Sequence, residues 1–288
     1  MITQKSYIGG MKGLKVDGTL TFTTYKNKIT KLAEGVDFFD WDNGENNRIG
    51  GIFVRNQVGQ PISAYYGYQV IGLFQDAADV SKSPTQTAAA PGRFKYLDAN
   101  GDGAITPADR VFFGSPNPDF TYGLNLNLSY KAFDLTAFFY GAAGKDAINY
   151  VKWWVDFVPS FQNGKSKDAL YNSWTPQNTS AIVPIQEESG NFSTNGAANS
   201  YYKEDASYFR MKNLSLGYNF PASLLNRAKI DRLRIYIQAT NLFTITKYSG
   251  LDPEIAGDDR GFGFDAGVYP TVKQFYVGIN LGFNLHKY

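Results

Sequence analysis

The side chains best spaced to bind an ion lie between residues 98 and 109. The run Asp-Ala-Asn-Gly-Asp-Gly-Ala-Ile-Thr-Pro-Ala-Asp puts Asp98, Asn100, Asp102 and Asp109 at positions 1, 3, 5 and 12 of an EF-hand-like loop. Gly103 falls at position 6, where such a loop bends sharply. Ala104 offers its carbonyl at position 7, and Ile105 anchors the loop at position 8. Asp replaces Glu at position 12, so the last ligand is one methylene short. The flanks, Phe94-Lys-Tyr96 and Val111-Phe-Phe113, read as extended rather than helical. The expectation is a structural Ca²⁺ held by Asp98, Asn100, Asp102, Ala104 and Asp109. The competing reading is a tight polar turn, because Asn-Gly and Asp-Gly form turns without an ion.

A second cluster, Trp153, Trp154, Phe157, Phe161 and Trp174, falls in the long segment Gly141–Asp205. Exposed aromatic faces stack on sugar rings, which makes Trp153, Trp154 and Trp174 candidate substrate-binding residues. Against this stands packing of the same rings within the loop or on the rim beneath it. Covalent and acid–base chemistry has no comparable cluster. Cysteine is absent, which excludes thiol catalysis, disulfides and thiolate metal sites, and the single histidine, His286, reads as a tail residue. No nucleophile–base pair or catalytic carboxylate pair stands out, so the chain is read as not an enzyme.

The elements that position these residues follow a period of two. In 14–25, Leu14, Val16, Leu20 and Phe22 share one face, while Lys15, Asp17, Thr19, Thr21 and Thr23 share the other. Phe120–Tyr130 alternates in the same way, and so do Phe133–Tyr140, Ser207–Asn219, Arg232–Phe243 and Val272–Leu285. Further strands are expected near Ile29–Val36, Ile49–Asn56 and Ile62–Gln75, giving about nine in all. Short turns near 26–28, 58–61, 131–132 and 220–231 contrast with longer connections at 39–48, 76–119, 141–205 and 244–270.

Composition narrows the class. Aromatics reach 16 % (22 Phe, 20 Tyr, 4 Trp), and no apolar run is long enough for a membrane-crossing helix. The 28 basic and 26 acidic residues leave a net charge of +2, too balanced to argue for nucleic acid. Alternating strands of about 9–11 residues with short turns at one end and long loops at the other fit an outer-membrane β-barrel better than a sandwich. A lipid-facing Lys or Arg at mid-membrane costs about 2–4 kcal/mol, and the apolar faces of 120–130 and 275–285 carry no charge. Arg210 and Lys212, however, share parity with Leu214, Leu216 and Tyr218. They are expected either above the membrane or beyond a bulge that resets the alternation.

Four stretches carry a resemblance to the SusC/RagA family of TonB-linked outer-membrane transporters. They are Asp98–Thr106 running through Gly114-Ser-Pro-Asn-Pro-Asp-Phe-Thr-Tyr-Gly123; Tyr208-Phe-Arg-Met-Lys-Asn-Leu-Ser-Leu-Gly-Tyr218; Leu233-Arg-Ile-Tyr236 with Asn241-Leu-Phe-Thr244 and Gly250-Leu-Asp-Pro-Glu254; and Tyr269-Pro-Thr271 leading to Val277-Gly-Ile-Asn-Leu-Gly-Phe283. The chain resembles the C-terminal part of that family across residues 1–288. The resemblance implies an all-β fold, an antiparallel segment of a 22-stranded transmembrane barrel with long extracellular loops. It further implies the outer membrane of a Gram-negative bacterium, a drive from TonB, a SusD-like surface lipoprotein as partner, and import of oligosaccharides or peptides. No plug domain or TonB box is recognised in the sequence, so a fragment of a longer transporter is expected. With nine strands and the last ending in the periplasm, the strand at Leu14 and the strand Phe120–Tyr130 are both expected to run inward, with the acidic turn outside the cell. The alternative function is a calcium-stiffened cell-surface β-domain for glycan binding or adhesion.

Overall fold

Alternation of apolar and small polar residues builds one large antiparallel sheet. The computed structural model describes residues 2–6, 13–42, 46–49, 51–161, 164–226, 230–257 and 261–283; His286 and the last residues of the expected 272–285 strand lie outside them. The sheet follows chain order: β1 (Ile2–Ser6), β2 (Leu14–Thr24), β3 (Phe120–Tyr130), β4 (Phe133–Ala143), β5 (Tyr208–Asn219), β6 (Ile230–Thr240) and β7 (Gln274–Phe283), with Thr244–Thr246 pairing alongside the start of β5. From β2 onward each strand holds 10 to 12 residues, the length a tilted membrane-spanning strand needs.

Register keeps the two faces distinct across all six long strands. Leu20 pairs with Leu124 and Leu124 with Phe139; Leu135 pairs with Leu216, Leu216 with Ile237 and Ile237 with Val277. All these side chains share the outward face, which carries no charged residue. Val277 is 79 % exposed and Phe275 72 %. So much apolar surface on a protein demands a partner. Rings gather at both ends of this face: Phe22–Phe120 and Phe139–Phe209 stack at one end, and Phe133–Tyr218 meet edge-on at the other. Two aromatic belts flanking an apolar band are the pattern of an outer-membrane barrel wall.

The opposite face is polar. Arg234 reaches across β5 to Asp134 on β4 at 2.5 Å, and Asn219 donates to the same carboxylate at 2.6 Å. The guanidinium lies where a side chain at Gly217 would collide with it, and a side chain at Gly278 would strike the Tyr236 ring. Glycine is needed at both positions so that a large neighbour can lie flat on the sheet.

Arg210 and Lys212 illustrate how alternation is reset. Phe138 pairs with Asn213 but the next residue, Phe139, pairs with Met211, so Lys212 is a bulge. The bulge keeps Phe209, Met211, Leu214 and Leu216 all outward and turns Arg210 to the other side. Of the two sequence readings of these charges, the bulge is the one observed.

Three expected strands do not span. Residues 29–36 are irregular and are pinned to the next turn by Ile29 N–H to Gln60 O and Gly59 N–H to Ile29 O, both 2.9 Å. In place of Ile49–Asn56 there is a helical turn, Asn46–Ile49, and a strand at Val54–Gln57. Ile62–Gln75 divides into Ala64–Tyr68 and Val70–Leu73. These short pieces join small sheets outside the main one. The physical reason lies in their faces: Ala64, Tyr65, Gly67 and Tyr68 are buried on both sides, the signature of a water-soluble core rather than a lipid-facing wall. Among the described residues six long strands therefore replace about nine, and β2 pairs antiparallel with β3. The strand at Leu14 runs opposite to Phe120–Tyr130, correcting the expectation that both run inward.

With these corrections the loops sort cleanly. The two-residue turn Lys131-Ala132, residues 7–13 and residues 220–229 join strands at one end; 25–119, 144–207 and 241–273 join them at the other. These last three connections fold together into a head.

Candidate functional site

The head has its own core, drawn from all three long connections. Val54, Tyr65, Phe94 and Tyr96 come from the first; Ile148, Tyr150, Trp153, Trp174 and Tyr202 from the second; Phe264 from the third. Tyr65 shows how they interlock: its hydroxyl donates to Gly263 O at 2.9 Å and lies 3.2 Å from Asp146 O. Burial raises its pKa well above the ordinary phenol value, with the Asp146 carboxylate adding to the shift. Gly263 has φ +75°, and a Cβ there would collide with the Tyr65 hydroxyl and Pro116. A three-stranded sheet, Asp146–Asn149 between Lys203–Asp205 and Phe264–Asp265, joins the second connection to the third.

Within this core the candidate tryptophans part company. Trp153 is buried, stacks on Tyr150 at 5.6 Å and donates to Asn195 O at 2.9 Å. Trp174 is buried, packs where a side chain at Gly92 would sit, and donates to Gln75 Oε1 at 3.3 Å. Their faces are covered by protein, so neither presents a ring to a sugar. Trp154 is half-buried, edge-on to Trp153 and Phe161, with the Arg48 guanidinium 5.3 Å from its centroid. The structure brings Trp153 and Trp154 together and leaves Trp174 elsewhere in the core. The competing reading, rings packing the loops against themselves, describes Trp153 and Trp174.

The acidic turn closes on itself. Asp98 accepts from the N–H groups of Gly101 (2.8 Å) and Gly103 (2.9 Å); Asn100 Oδ1 accepts from Asp102 N–H, and Asp102 Oδ1 from Ala104 N–H. Gly101 and Gly103 adopt φ of +74° and +83°, the left-handed bends the turn requires. Asp109 is fully buried and caps a 3₁₀ turn: Oδ1 takes Ala99 N–H at 2.9 Å, and Oδ2 takes Thr106 N–H at 2.7 Å. Burial pushes its carboxyl up, but these donors outweigh that and hold it below the usual carboxylate range. Ala104 bridges to Thr85 through the backbone. Among the described residues no three carboxylate or imidazole side chains converge as a metal's ligands do.

A polar cluster that residue typing alone had not singled out joins the head to the sheet. Arg210 is 2 % exposed and donates to Thr244 Oγ1 (2.7 Å), Glu254 Oε2 (2.7 Å), Thr271 Oγ1 (2.8 Å) and Asp252 Oδ1 (2.5 Å). Lys212 reaches the same Glu254 oxygen at 2.5 Å, and Lys145 donates to Pro253 O at 3.0 Å. Burial draws the Lys145 ammonium below its ordinary pKa, while the Glu254 and Asp252 charges oppose that shift. Burial also acts on Asp252, but hydrogen bonds from Arg210 and Thr271 prevail and bring it down to about 2. Arg210, Asp252, Glu254 and Thr271 come from three of the stretches that carried the family resemblance. The fourth stretch makes another joint: Asn117 Nδ2 donates to Ile62 O and its Oδ1 accepts from Asn27, both at 2.8 Å. The signal for the first cluster was the out-of-phase charge at Arg210.

Beside this joint the head has a polar cleft of about 500 Å³ whose wall includes Lys152, Asp156, Asp168, Glu204, Asp205 and Lys247. Asn149 and Ser249 also line it and are both hydrogen-bonded to Glu204. Its four carboxylates are engaged within the protein: Asp156 by Ser166 and Tyr201, Asp168 by Asn172, Glu204 by Asn149 and Ser249, and Asp205 by Ser207 N–H.

A charge-free outward face between two aromatic belts, a polar inner face and long connections at one end define the wall of an outer-membrane β-barrel. No family model matches the chain. It is 34 % identical over 278 residues to TonB-dependent receptor P3 of Formosa agariphila, covering 91 % of this chain and 26 % of that protein. To TonB-dependent receptor SusC of Bacteroides thetaiotaomicron it is 28 % identical over 275 residues, covering 93 % and 24 %. Among solved structures, the RagAB peptide transporter matches with a TM-score of 0.70 and 28 % identity, over 97 % of this chain and 28 % of that one. The RagAB peptide importer in its closed-closed state matches with a TM-score of 0.71 and 26 % identity. In sequence and in fold the chain matches a stretch of the β-barrel of TonB-dependent receptors of the SusC/RagA type. It spans about a quarter of the length of the curated relatives it matches.

Proposed function

We propose that this chain, as the C-terminal barrel part of a longer protein, serves nutrient uptake across the outer membrane of a Gram-negative bacterium. The observation that carries this is the outward face, free of charge over six register-matched strands, with all three long connections at the same end. In that assembly the head faces outside the cell, and the inner polar face lines a water-filled or plugged lumen. Energy comes through TonB acting on a plug encoded outside this chain, and a SusD-like surface lipoprotein covers the head. The substrate is an oligosaccharide or a peptide; one relative is described as a peptide transporter. The cleft lined by Lys152, Glu204, Asp205 and Lys247 is the proposed substrate contact in the head.

For the turn at 98–109 we propose a strut held by its own hydrogen bonds, because all its carboxylates are engaged by backbone N–H groups. A calcium site is the alternative. Calorimetry with Ca²⁺ on the intact protein separates them: heat that disappears in an Asp102→Ala variant establishes the ion.

The uptake reading is tested on the full-length protein. It is expected in the outer-membrane fraction, to need detergent for extraction and to show heat-modifiable gel mobility. Deletion of its gene is expected to abolish growth on the cognate oligosaccharide or peptide. Recovery in the soluble fraction without detergent would instead support the cell-surface β-domain.

A further inference from the structure

The polar cleft of the head carries an uneven balance of charge. Of its four carboxylates, only Glu204 forms an ion pair among the described residues, with Lys152 at 3.5 Å. Hydrogen bonds from Ser207, aided by the Lys247 charge, hold the Asp205 carboxyl below the usual carboxylate range. Asp156 and Asp168 meet neutral donors: Ser166 and the Tyr201 hydroxyl reach Asp156, and Asn172 Nδ2 reaches Asp168 at 2.7 Å. The neighbouring Lys165 ammonium is taken up by the carbonyls of Trp154 (3.1 Å) and Phe157 (2.8 Å). Hydrogen bonds from neutral groups keep a carboxylate ionised without cancelling its charge. Tyr201 registers that charge. Burial raises its phenol well above the ordinary value, and Asp156 and Asp168 add to the shift.

The same cleft holds a spare acceptor. Asn149 is 3 % exposed, and its Nδ2 serves Glu204 (3.2 Å) and Ser249 (3.0 Å), two other residues of the wall. Its Oδ1 is buried with no hydrogen-bond partner among the described residues. An acceptor left so is costly until a donor arrives.

The rim differs from the wall. Ile182 and Leu251 line the cleft, are aliphatic, and are 64 % and 68 % exposed. Among the described residues no aromatic ring lines it, so a sugar ring finds no face to stack on. An aliphatic rim above an anionic wall fits a long side chain ending in a cation, whose methylene stem lies on apolar surface while its charged end reaches the carboxylates.

We propose that this cleft is a subsite for a lysine or arginine side chain of an imported peptide, with the cation toward Asp156 and Asp168 and the stem along Ile182 and Leu251. The assignment rests on the uptake reading above and narrows its substrate from oligosaccharide or peptide to a peptide with a basic residue. An amino sugar carries the charge but lacks the flexible stem. A bare metal ion is not the occupant, because no three carboxylates converge there.

The test uses the full-length transporter in mild detergent and two fluorescein-labelled alanine peptides, one with a central lysine and one with norleucine in its place, followed by fluorescence anisotropy. Norleucine keeps an aliphatic stem and removes the charge. The lysine peptide is expected to bind about fivefold tighter, the weight of exposed ion pairs, and high salt is expected to remove most of that difference. Asp168→Asn is expected to bring the two peptides within about twofold of each other. Leu251→Ser, which strips the rim, is expected to weaken both about threefold. Heat-modifiable mobility of each variant reports an intact barrel and so separates a folding defect from loss of the site. Equal binding of the two peptides, no binding of either, or a full lysine preference in a folded Asp168→Asn variant overturns the proposal. Displacement of the lysine peptide by a neutral oligosaccharide such as maltoheptaose, with the norleucine peptide bound as tightly, assigns the cleft to sugar instead and overturns it too. A wild-type protein that stays soluble without detergent overturns the uptake reading itself, whichever peptide it binds.

Discussion

Arg210 shows what a single buried charge does in this protein. Its guanidinium makes four hydrogen bonds, to two carboxylates and two hydroxyls from residues that lie beyond β6, and so ties the third long connection to the sheet. Removing it leaves Asp252, which is nearly buried, without its cation. Losing one partner of a buried ion pair costs about 3–5 kcal/mol. Arg210→Met is expected to lower the stability of the head toward urea by about 3 kcal/mol, read by tryptophan fluorescence, with heat-modifiable mobility of the barrel retained. The Asp252 carboxyl, brought down to about 2, gives this tie a pH dependence whose sign follows from linkage. Its folded pKa lies below the unfolded value near 3.9, so its contribution is complete above about pH 4 and is lost as pH falls toward 2. The contribution of this tie is therefore expected to stay constant from pH 7 to 5 and to fall between about pH 4 and 2. In Asp252→Asn that part of the acid loss should disappear, which urea midpoints measured at pH 6 and 3 check directly.

At the scale of elements, the six long strands were legible because lipid on one side and water on the other force a strict period of two. Each of Leu124, Leu126 and Leu128 alternates with Asn125, Asn127 or Ser129, and the structure pairs these rows in register. The head strands carried no such signal. Ala64–Tyr68 is apolar on both sides because protein covers both, and its brevity and pairing partners follow from contacts with segments distant in sequence. Period two therefore identifies a strand between two solvents and is silent where a strand sits inside a core. The acidic turn was legible as a turn from Asn-Gly and Asp-Gly, yet oxygen spacing alone did not reveal that backbone donors already occupy those oxygens. Trp153 and Trp174 were legible as aromatic, but their burial depends on loops 144–207 and 25–119 meeting. The two faces of one strand yield a direct test. Leu126→Lys, outward, is expected to destabilise the folded barrel by about 2–4 kcal/mol. Asn127→Lys, its inward neighbour, is expected to change stability by less than about 1 kcal/mol. Refolding of the full-length protein into lipid vesicles across a urea series measures both, and equal effects would reverse the assignment of the faces.

For the whole molecule, what matters is that the sheet is open. Among the described residues β1 pairs only with β2, and β7 pairs only with β6 and presents its other edge unpaired. In water such an edge is an aggregation hazard. In hydrocarbon it is worse, because each unsatisfied N–H or C=O costs several kcal/mol and only closed barrels satisfy them all. The residues of β7 leave no room for an edge that meets lipid directly: Phe275, Val277, Ile279 and Leu281 commit its outward side chains to the bilayer, which brings its free backbone edge there too. The 288-residue chain expressed alone is thus expected to enter inclusion bodies, and after refolding in detergent to run at one gel position whether heated or not. The longer protein that completes the wall is expected to shift on heating. Supplying the remainder of that protein as a separate polypeptide during refolding should restore the heat-sensitive form if the edges are the missing element, and heat-modifiable mobility of the chain alone would show that they close by some other pairing.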